Sequence, residues 1–214
     1  MKNSGHNDSL LVAKAGGSLT DVISGVTTIF KDSGRRVLIV PGGGVFADTV
    51  RELDPKPDAA HWMAILGMEQ YGHYISSFGV QSTENPCETK GGADRVRVLL
   101  PYRIMREKDP LPHSWDVTSD SIAAWVAETL SADLLVLKST DGLKKNGSFL
   151  KEVCAEEEFE EVDPYFLHYV LEKNIDTWVV NARKPEVLKK FLSGEDFFGT
   201  HVHGKFLRRY TPNL

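Results

Sequence analysis

Four short stretches carry the residue types that handle phosphate. In residues 11–18, LVAKAGGS, an apolar run ends in one lysine followed by two glycines and a serine. Glycines without side chains let backbone N–H groups approach an anion closely, and the Lys14 ammonium, a compact charge with three donors, reaches the same anion from the strand end. A lysine before Gly-Gly is by itself a common strand-to-helix turn. Its company changes the reading, because small-residue turns recur: Pro41-Gly42-Gly43-Gly44 follows the apolar run 36–40, and Lys138-Ser139-Thr140-Asp141-Gly142 follows the run 133–137. The fourth stretch, HSWDVTSDSIAAW over residues 113–125, sets Asp116 and Asp120 four residues apart. With Thr118 as the cap, Asp120 falls in the first turn of a helix, where the dipole favours a carboxylate and where it can orient a catalytic lysine. Both aspartates also suit a purely capping role.

These turns need strands and helices to hold them. The runs at 10–13, 36–40 and 133–137 are short, apolar and rich in branched side chains, as buried strands are. Residues 20–31 place Val22, Val26, Ile29 and Phe30 on one helical face, with Gly34 suited to end it. VFADTVREL after Gly44 reads as a second helix. Strand, glycine turn and helix therefore recur, the signature of an open parallel sheet whose ligand site lies beyond the carboxyl ends of its strands. Two phosphate-sized turns on one edge point to a donor phosphate and an acceptor.

The intervening segments are less regular. DPKPD at 54–58 reads as a loop, since two prolines disfavour helix. Residues 59–78 form a long helix rich in Trp62, Met63, Met68, Tyr71, His73 and Tyr74, either a core or interface helix or one wall of an acceptor pocket. Residues 81–95 lack periodicity and read as a mobile loop or lid, with Arg95, Arg97, Arg103 and Arg106 around the following strand as arginines available to an anionic acceptor. Val162-Asp163-Pro164 reads as a helix start with Asp163 at the cap, and residues 176–180 as another strand. His201 and His203 alternate on a last strand, with no acidic or thiol partner nearby in sequence to complete a metal site.

Composition sets outer bounds. At 214 residues, 41% hydrophobic and 26% charged, the chain is ordinary for a globular protein and fits one α/β domain, 1–214. A net charge of -5 opposes broad nucleic-acid binding, and the basic stretch at 205–209 reads as a solvated tail. Neither a membrane span nor a secretory signal is seen, so a cytoplasmic location is expected. Cys87 and Cys154 lack the spacing of a disulfide framework or zinc site.

The ordered set AKAGGS, PGGG, WDVTSDSIAA, KSTDGL, VNARKPEVLKKFLSG and FGT resembles the amino acid kinase superfamily over residues 10–204. GGGVFADTVRE, AAHWMAILGMEQYG and SWDVTSDSIAAW are similar to a narrower group in it, the aminomethylfuranylmethyl phosphate kinases of methanofuran biosynthesis. The resemblance implies a three-layer αβα sandwich with a mainly parallel open sheet, an acceptor-binding part over 10–110 and a nucleotide-binding part over 111–204. It implies MgATP as donor, a phosphorylated small-molecule acceptor and a homo-oligomer. In its terms Lys14 bridges the transferred group, Gly16, Gly17 and Ser18 cradle donor phosphates, and Gly42, Gly43 and Gly44 hold the acceptor. Asp120 organises the lysines, Asp116 stands where relatives often have asparagine, and Ser139, Thr140, Asp141 and Gly142 form the nucleotide-side turn. The second lysine is one of Lys138, Lys144, Lys145 and Lys205, with Lys138 ranked first. Glu69 and Tyr71 are expected at the acceptor's ends, and no protein metal ligand is assigned. Two alternatives stay open: an amino acid or isopentenyl phosphate kinase of the same fold, and a protein that binds nucleotide or oxyanion without turnover.

Overall fold

The computed structural model describes residues 9–91 and 93–203; the basic stretch 205–209, with Lys205, lies outside them. In chain order the first half holds β1 (Leu10–Ala15), α1 (Ile23–Ser33), β2 (Arg36–Pro41), α2 (Gly44–Leu53), α3 (Pro57–Ser76), β3 (Gln81–Thr83), β4 (Val96–Leu99) and α4 (Tyr102–Lys108). The second holds α5 (Ser119–Leu130), β5 (Asp133–Lys138), a hairpin of β6 (Lys144–Lys145) and β7 (Ser148–Phe149), β8 (Glu152–Val153), α6 (Phe166–Glu172), β9 (Thr177–Asn181), α7 (Pro185–Ser193) and β10 (Thr200–Val202). Eight strands form one sheet in the order β3-β4-β2-β1-β5-β9-β10-β8, and every pairing is parallel except β9 with β10. The expected αβα sandwich with a mainly parallel sheet is the fold observed.

The alternation of each strand decides which layer a side chain joins. Leu11, Ala13 and Ala15 of β1 and Leu135 and Leu137 of β5 pack with Val26 and Phe30 of α1 and Leu188 of α7. Val12, Leu134 and Val136 face the opposite layer, where Ile122, Ala123 and Val126 of α5 and Phe166 and Val170 of α6 cover the sheet. Lys14 is two residues beyond Val12, and Lys138 two beyond Val136, so both point toward α5. Lys14 is paired with Val136 in the sheet register. Strand periodicity alone thus delivers two lysines from adjacent central strands to one place at the carboxyl edge.

Three elements differ from the sequence reading. The segment 54–58 is only partly a loop: Pro57 opens α3 at a first-turn position, where a missing N–H is no loss. Residues 81–95 include an edge strand, β3, and a 3-10 turn over Pro86–Lys90 held by the Asn85 side chain, which accepts from the Cys87 N–H. Thr83 donates to Glu88 at 2.7 Å, so this segment packs on the sheet edge, and it does not line the main cavity. Residues 144–149 form a hairpin whose two-residue turn, Asn146-Gly147, has φ of 50° and 76°, the combination that Asn-Gly supplies most readily. No helix among the described residues is long and apolar enough to cross a membrane.

Candidate active site

At the carboxyl edge of β1 and β2 the two glycine turns touch. A Cβ on Gly17 would lie 2.1 Å from the Gly44 Cα, and one on Gly42 would lie 3.0 Å from the Gly16 Cα. Any side chain at Gly17 would therefore collide with backbone. Gly44 also has φ of 54°, a second reason for glycine there. The Tyr71 hydroxyl lies beneath this junction and donates to the Gly16 carbonyl at 3.4 Å.

Facing the junction is the first turn of α5. The Asp120 carboxylate bridges both strand lysines, with Lys14 Nζ 2.9 Å from Oδ1 and Lys138 Nζ 2.7 Å from Oδ2. Asp120 is 3% exposed and Lys14 6%, so the group is shielded from water. Burial by itself would raise the Asp120 pKa; the two ammoniums outweigh it and hold the carboxyl at about 2. Burial, reinforced by the Lys14 charge and opposed by Asp120, lowers Lys138 to about 8. The result is a fixed pair of positive charges with one counter-ion, aimed where the two glycine turns meet.

A cavity of about 830 Å³ opens from this point and is bounded by α2, α3 and the segment before α5. Lys14, Gly16, Gly17, Ser18, Gly42, Gly43, Gly44, Asp120 and Lys138 all line it. Its far wall carries Ile65 and Met68 of α3, Asp48 and Arg51 of α2, and Trp115, which is 41% exposed. The Arg51 guanidinium pairs with Asp48 at 2.8 Å and stands 4.6 Å over the Trp115 ring. His61 and His113 also face the cavity. Their rings stack at 3.9 Å and 19°, and His113 is held between Asp58 at 2.8 Å and Asp109 at 2.9 Å. Those two carboxylates raise the His113 pKa, while burial and the neighbouring His113 charge lower His61 to about 4.

Other residues singled out in the sequence lie elsewhere. Glu69 accepts from the Tyr102 N–H at 2.9 Å and so caps α4, and Tyr71 supports the glycine junction from below; neither lines the cavity. Asp116 is exposed and accepts from Ser114 at 3.0 Å; its neighbours Ser114, Trp115 and Val117 line the cavity, and Asp116 does not. Ser139, Thr140, Asp141 and Gly142 lie outside it too, beyond Lys138. There Asp141 pairs with Lys184 at 2.7 Å and accepts from Asn181 at 2.8 Å. The arginines around β4 turn away: Arg97 pairs with Glu88, Arg103 with Glu84, and Arg106 stacks on Trp62. Arg95 donates to the Gly34 carbonyl. Lys144 and Lys145 sit exposed on the hairpin.

Sequence reasoning passed over three groups. Arg51 had a signal, since Gly44, Asp48 and Arg51 follow the spacing of one helical face and all three line the cavity. Arg183 reaches back to the Ser18 carbonyl at 2.8 Å and to Asp21 at 2.9 Å, tying the first glycine turn to the start of α7. Asp163 was expected to cap its own helix; its side chain instead accepts from Thr118 and Ser121 at the start of α5.

An open sheet with lysines, glycine turns and an aspartate at its carboxyl edge defines a phosphate-handling α/β protein. The amino acid kinase family model matches residues 9–172, and the chain belongs to that family of phosphotransferases. It is 26% identical over 210 residues to [5-(aminomethyl)furan-3-yl]methyl phosphate kinase from Methanocaldococcus jannaschii, covering 90% of this chain and 97% of that protein. Among solved structures it is similar to the UMP kinase of Bacillus anthracis, with a TM-score of 0.70 and 16% identity over 92% of this chain and 96% of that one. The uridylate kinase of Archaeoglobus fulgidus is also similar, with a TM-score of 0.65 and 17% identity over 90% and 99%.

Proposed function

We propose that the chain is an ATP-dependent kinase that phosphorylates a small phosphorylated acceptor, aminomethylfuranylmethyl phosphate, to its diphosphate. The observation that carries this reading is the Lys14–Asp120–Lys138 cluster at the contact between two glycine turns, with a cavity on one side. In the transfer, an oxygen of the acceptor phosphate attacks the γ-phosphorus, the bond to the β–γ bridging oxygen breaks, and ADP leaves. An anionic acceptor supplies its own nucleophile, so the protein's task is alignment and neutralisation of the charge on the moving group. Lys14 and Lys138 supply the neutralisation, and Asp120 keeps them aimed. Gly16, Gly17 and Ser18 offer main-chain donors to the donor phosphates, and Gly42, Gly43 and Gly44 to the acceptor phosphate.

Magnesium would be carried on the phosphates, where its positive charge would offset part of their negative charge. Asp120 is engaged by two ammoniums and Asp163 by four donors, so neither is free to bind it; water and phosphate oxygens are ligands it favours. At the acceptor's other end, an ammonium suits the carboxylates of Asp48 and Asp54, and a flat ring suits the apolar wall of Ile65 and Met68. This replaces Glu69 and Tyr71 in that role. Exposed Leu66 and Tyr74 on α3 support self-association, which sedimentation of the purified protein reads directly.

The test is ADP release with MgATP, comparing aminomethylfuranylmethyl phosphate with its unphosphorylated alcohol, UMP, isopentenyl phosphate, acetylglutamate, glutamate and aspartate. Turnover with the furan phosphate alone is expected. Turnover with another acceptor keeps the kinase and discards the acceptor assignment, whereas tight ATP binding with no turnover on any acceptor overturns the kinase.

A further inference from the structure

Asp163 lies between β8 and α6, far from the cavity in sequence and behind it in space, and is 7% exposed. The partners of its side chain are all at the start of α5. Oδ2 accepts from the Thr118 N–H at 2.9 Å, the Thr118 hydroxyl at 2.8 Å and the Ser121 N–H at 3.1 Å. Oδ1 accepts from the Ser121 hydroxyl at 2.5 Å. Thr118 is the N-cap residue of α5 yet makes no cap bond with its own side chain. The open donors of a helix start are normally met locally; here a distant carboxylate meets them on both sides of Asp120.

This arrangement is costly unless it does something. A buried carboxylate must find partners for its lone pairs, and a second one near Asp120 adds repulsion. Burial and the Asp120 charge do raise the Asp163 pKa, although the bonds from Ser121 and Thr118 oppose them. The compensation lies in the lysines. Lys14 and Lys138 bring two positive charges and Asp120 one negative; Asp163 restores neutrality before substrate arrives. Its charge also favours the ammonium form of Lys138, alongside that of Asp120.

We propose that Asp163 is a positioning residue for phosphoryl transfer: by gripping Thr118 and Ser121 it fixes the turn that aims Asp120 between Lys14 and Lys138. The proposal rests on the kinase reading, and its test contains one measurement that does not. Asp163→Ala removes both grip and charge. Asp163→Asn keeps an oxygen for Thr118 and the Ser121 N–H, lets its amide donate to the Ser121 hydroxyl, and removes only the charge.

A displaced catalytic group costs about 100-fold in rate, so Asp163→Ala is expected to lose kcat on that order while both KM values change by less than about threefold. Asp163→Asn is expected to recover to within about tenfold of the parent, with its alkaline limb at lower pH because Lys138 loses a favourable charge. The groups facing Lys138 are Lys14 from β1, Asp120 from α5 and Asp163, so no other titration is needed to explain that shift. Nitrogen NMR of the Lys138 ammonium reads the same change without turnover: its titration should move down in both variants. Where Asp163→Ala does not fold, Ser121→Ala takes its place, with a several-fold fall in kcat expected. Folded variants with parental kcat and an unmoved Lys138 titration overturn the proposal, as does a loss confined to thermal stability. Should the parent protein turn over no acceptor, the kinase reading falls, and the Lys138 titration still decides for or against Asp163.

Discussion

The two sides of the lysine pair are finished to different degrees. On the side proposed for the acceptor, α2 and α3 bound a cavity of about 830 Å³. On the side of Asp141 the partners of a polar turn are its own neighbours, Lys184 and Asn181. Asp141 and Lys184 are 37% and 45% exposed, and a pair so placed holds only about 0–1 kcal/mol. A ligand at that turn could displace the pair at little cost. In the proposed reading the acceptor side would select by shape, and the nucleotide side by exchanging weak internal contacts for contacts to the ligand.

The hardest blow to that contrast falls on what the two sides share. Lys14→Ala should lower kcat by about 1,000-fold or more, since it removes a charge placed for the transition state. The fold should survive, because Asp120 keeps Lys138 as a partner, and a circular dichroism melt checks this. An unchanged rate would take Lys14 out of the chemistry altogether. A smaller effect follows from Lys138. Its ammonium is the working form and its pKa is lowered to about 8, so kcat should fall as pH rises through that value. A profile flat to about pH 10, the ordinary lysine range, would show that the burial of Lys138 has no bearing on turnover. The finest test separates the two sides. Arg51→Ala should change the acceptor KM by up to about tenfold, because Arg51 lines the cavity and holds Asp48 and Trp115 in its wall, and leave the ATP KM alone. Lys184→Ala should change only the ATP KM, by about twofold to threefold, as an exposed pair allows. Exchange of those two results would erase the contrast.

What could be read from the sequence divides along the same physical line. Lys14 and Lys138 were visible because strand alternation and a following small-residue turn are local rules, and the rule that sites lie at carboxyl ends does the rest. The same rule, applied to Arg95, would have removed it as an acceptor group: it precedes β4 and so lies at the opposite edge. The Asn146-Gly147 hairpin was equally open to view. Asp163 was not. Its partners sit on another helix, and nothing in a Val-Asp-Pro string distinguishes a carboxylate that caps its own helix from one that caps a neighbour's. Glu69 shows the converse, a carboxylate on a promising helix that the fold spends on the N–H of Tyr102.

The contact of Gly17 with Gly44 has a consequence for descent with modification. Because main chain meets main chain there, no side chain intervenes to set the spacing between the two turns. Arg51, His61 and Trp115 line the cavity away from this contact, so substitutions there reshape its walls and leave the spacing of the turns alone. The spacing of the two turns is therefore set by main chain alone: a side chain at Gly17 would drive the two backbones apart, and one at Gly44 would be strained by its φ of 54°.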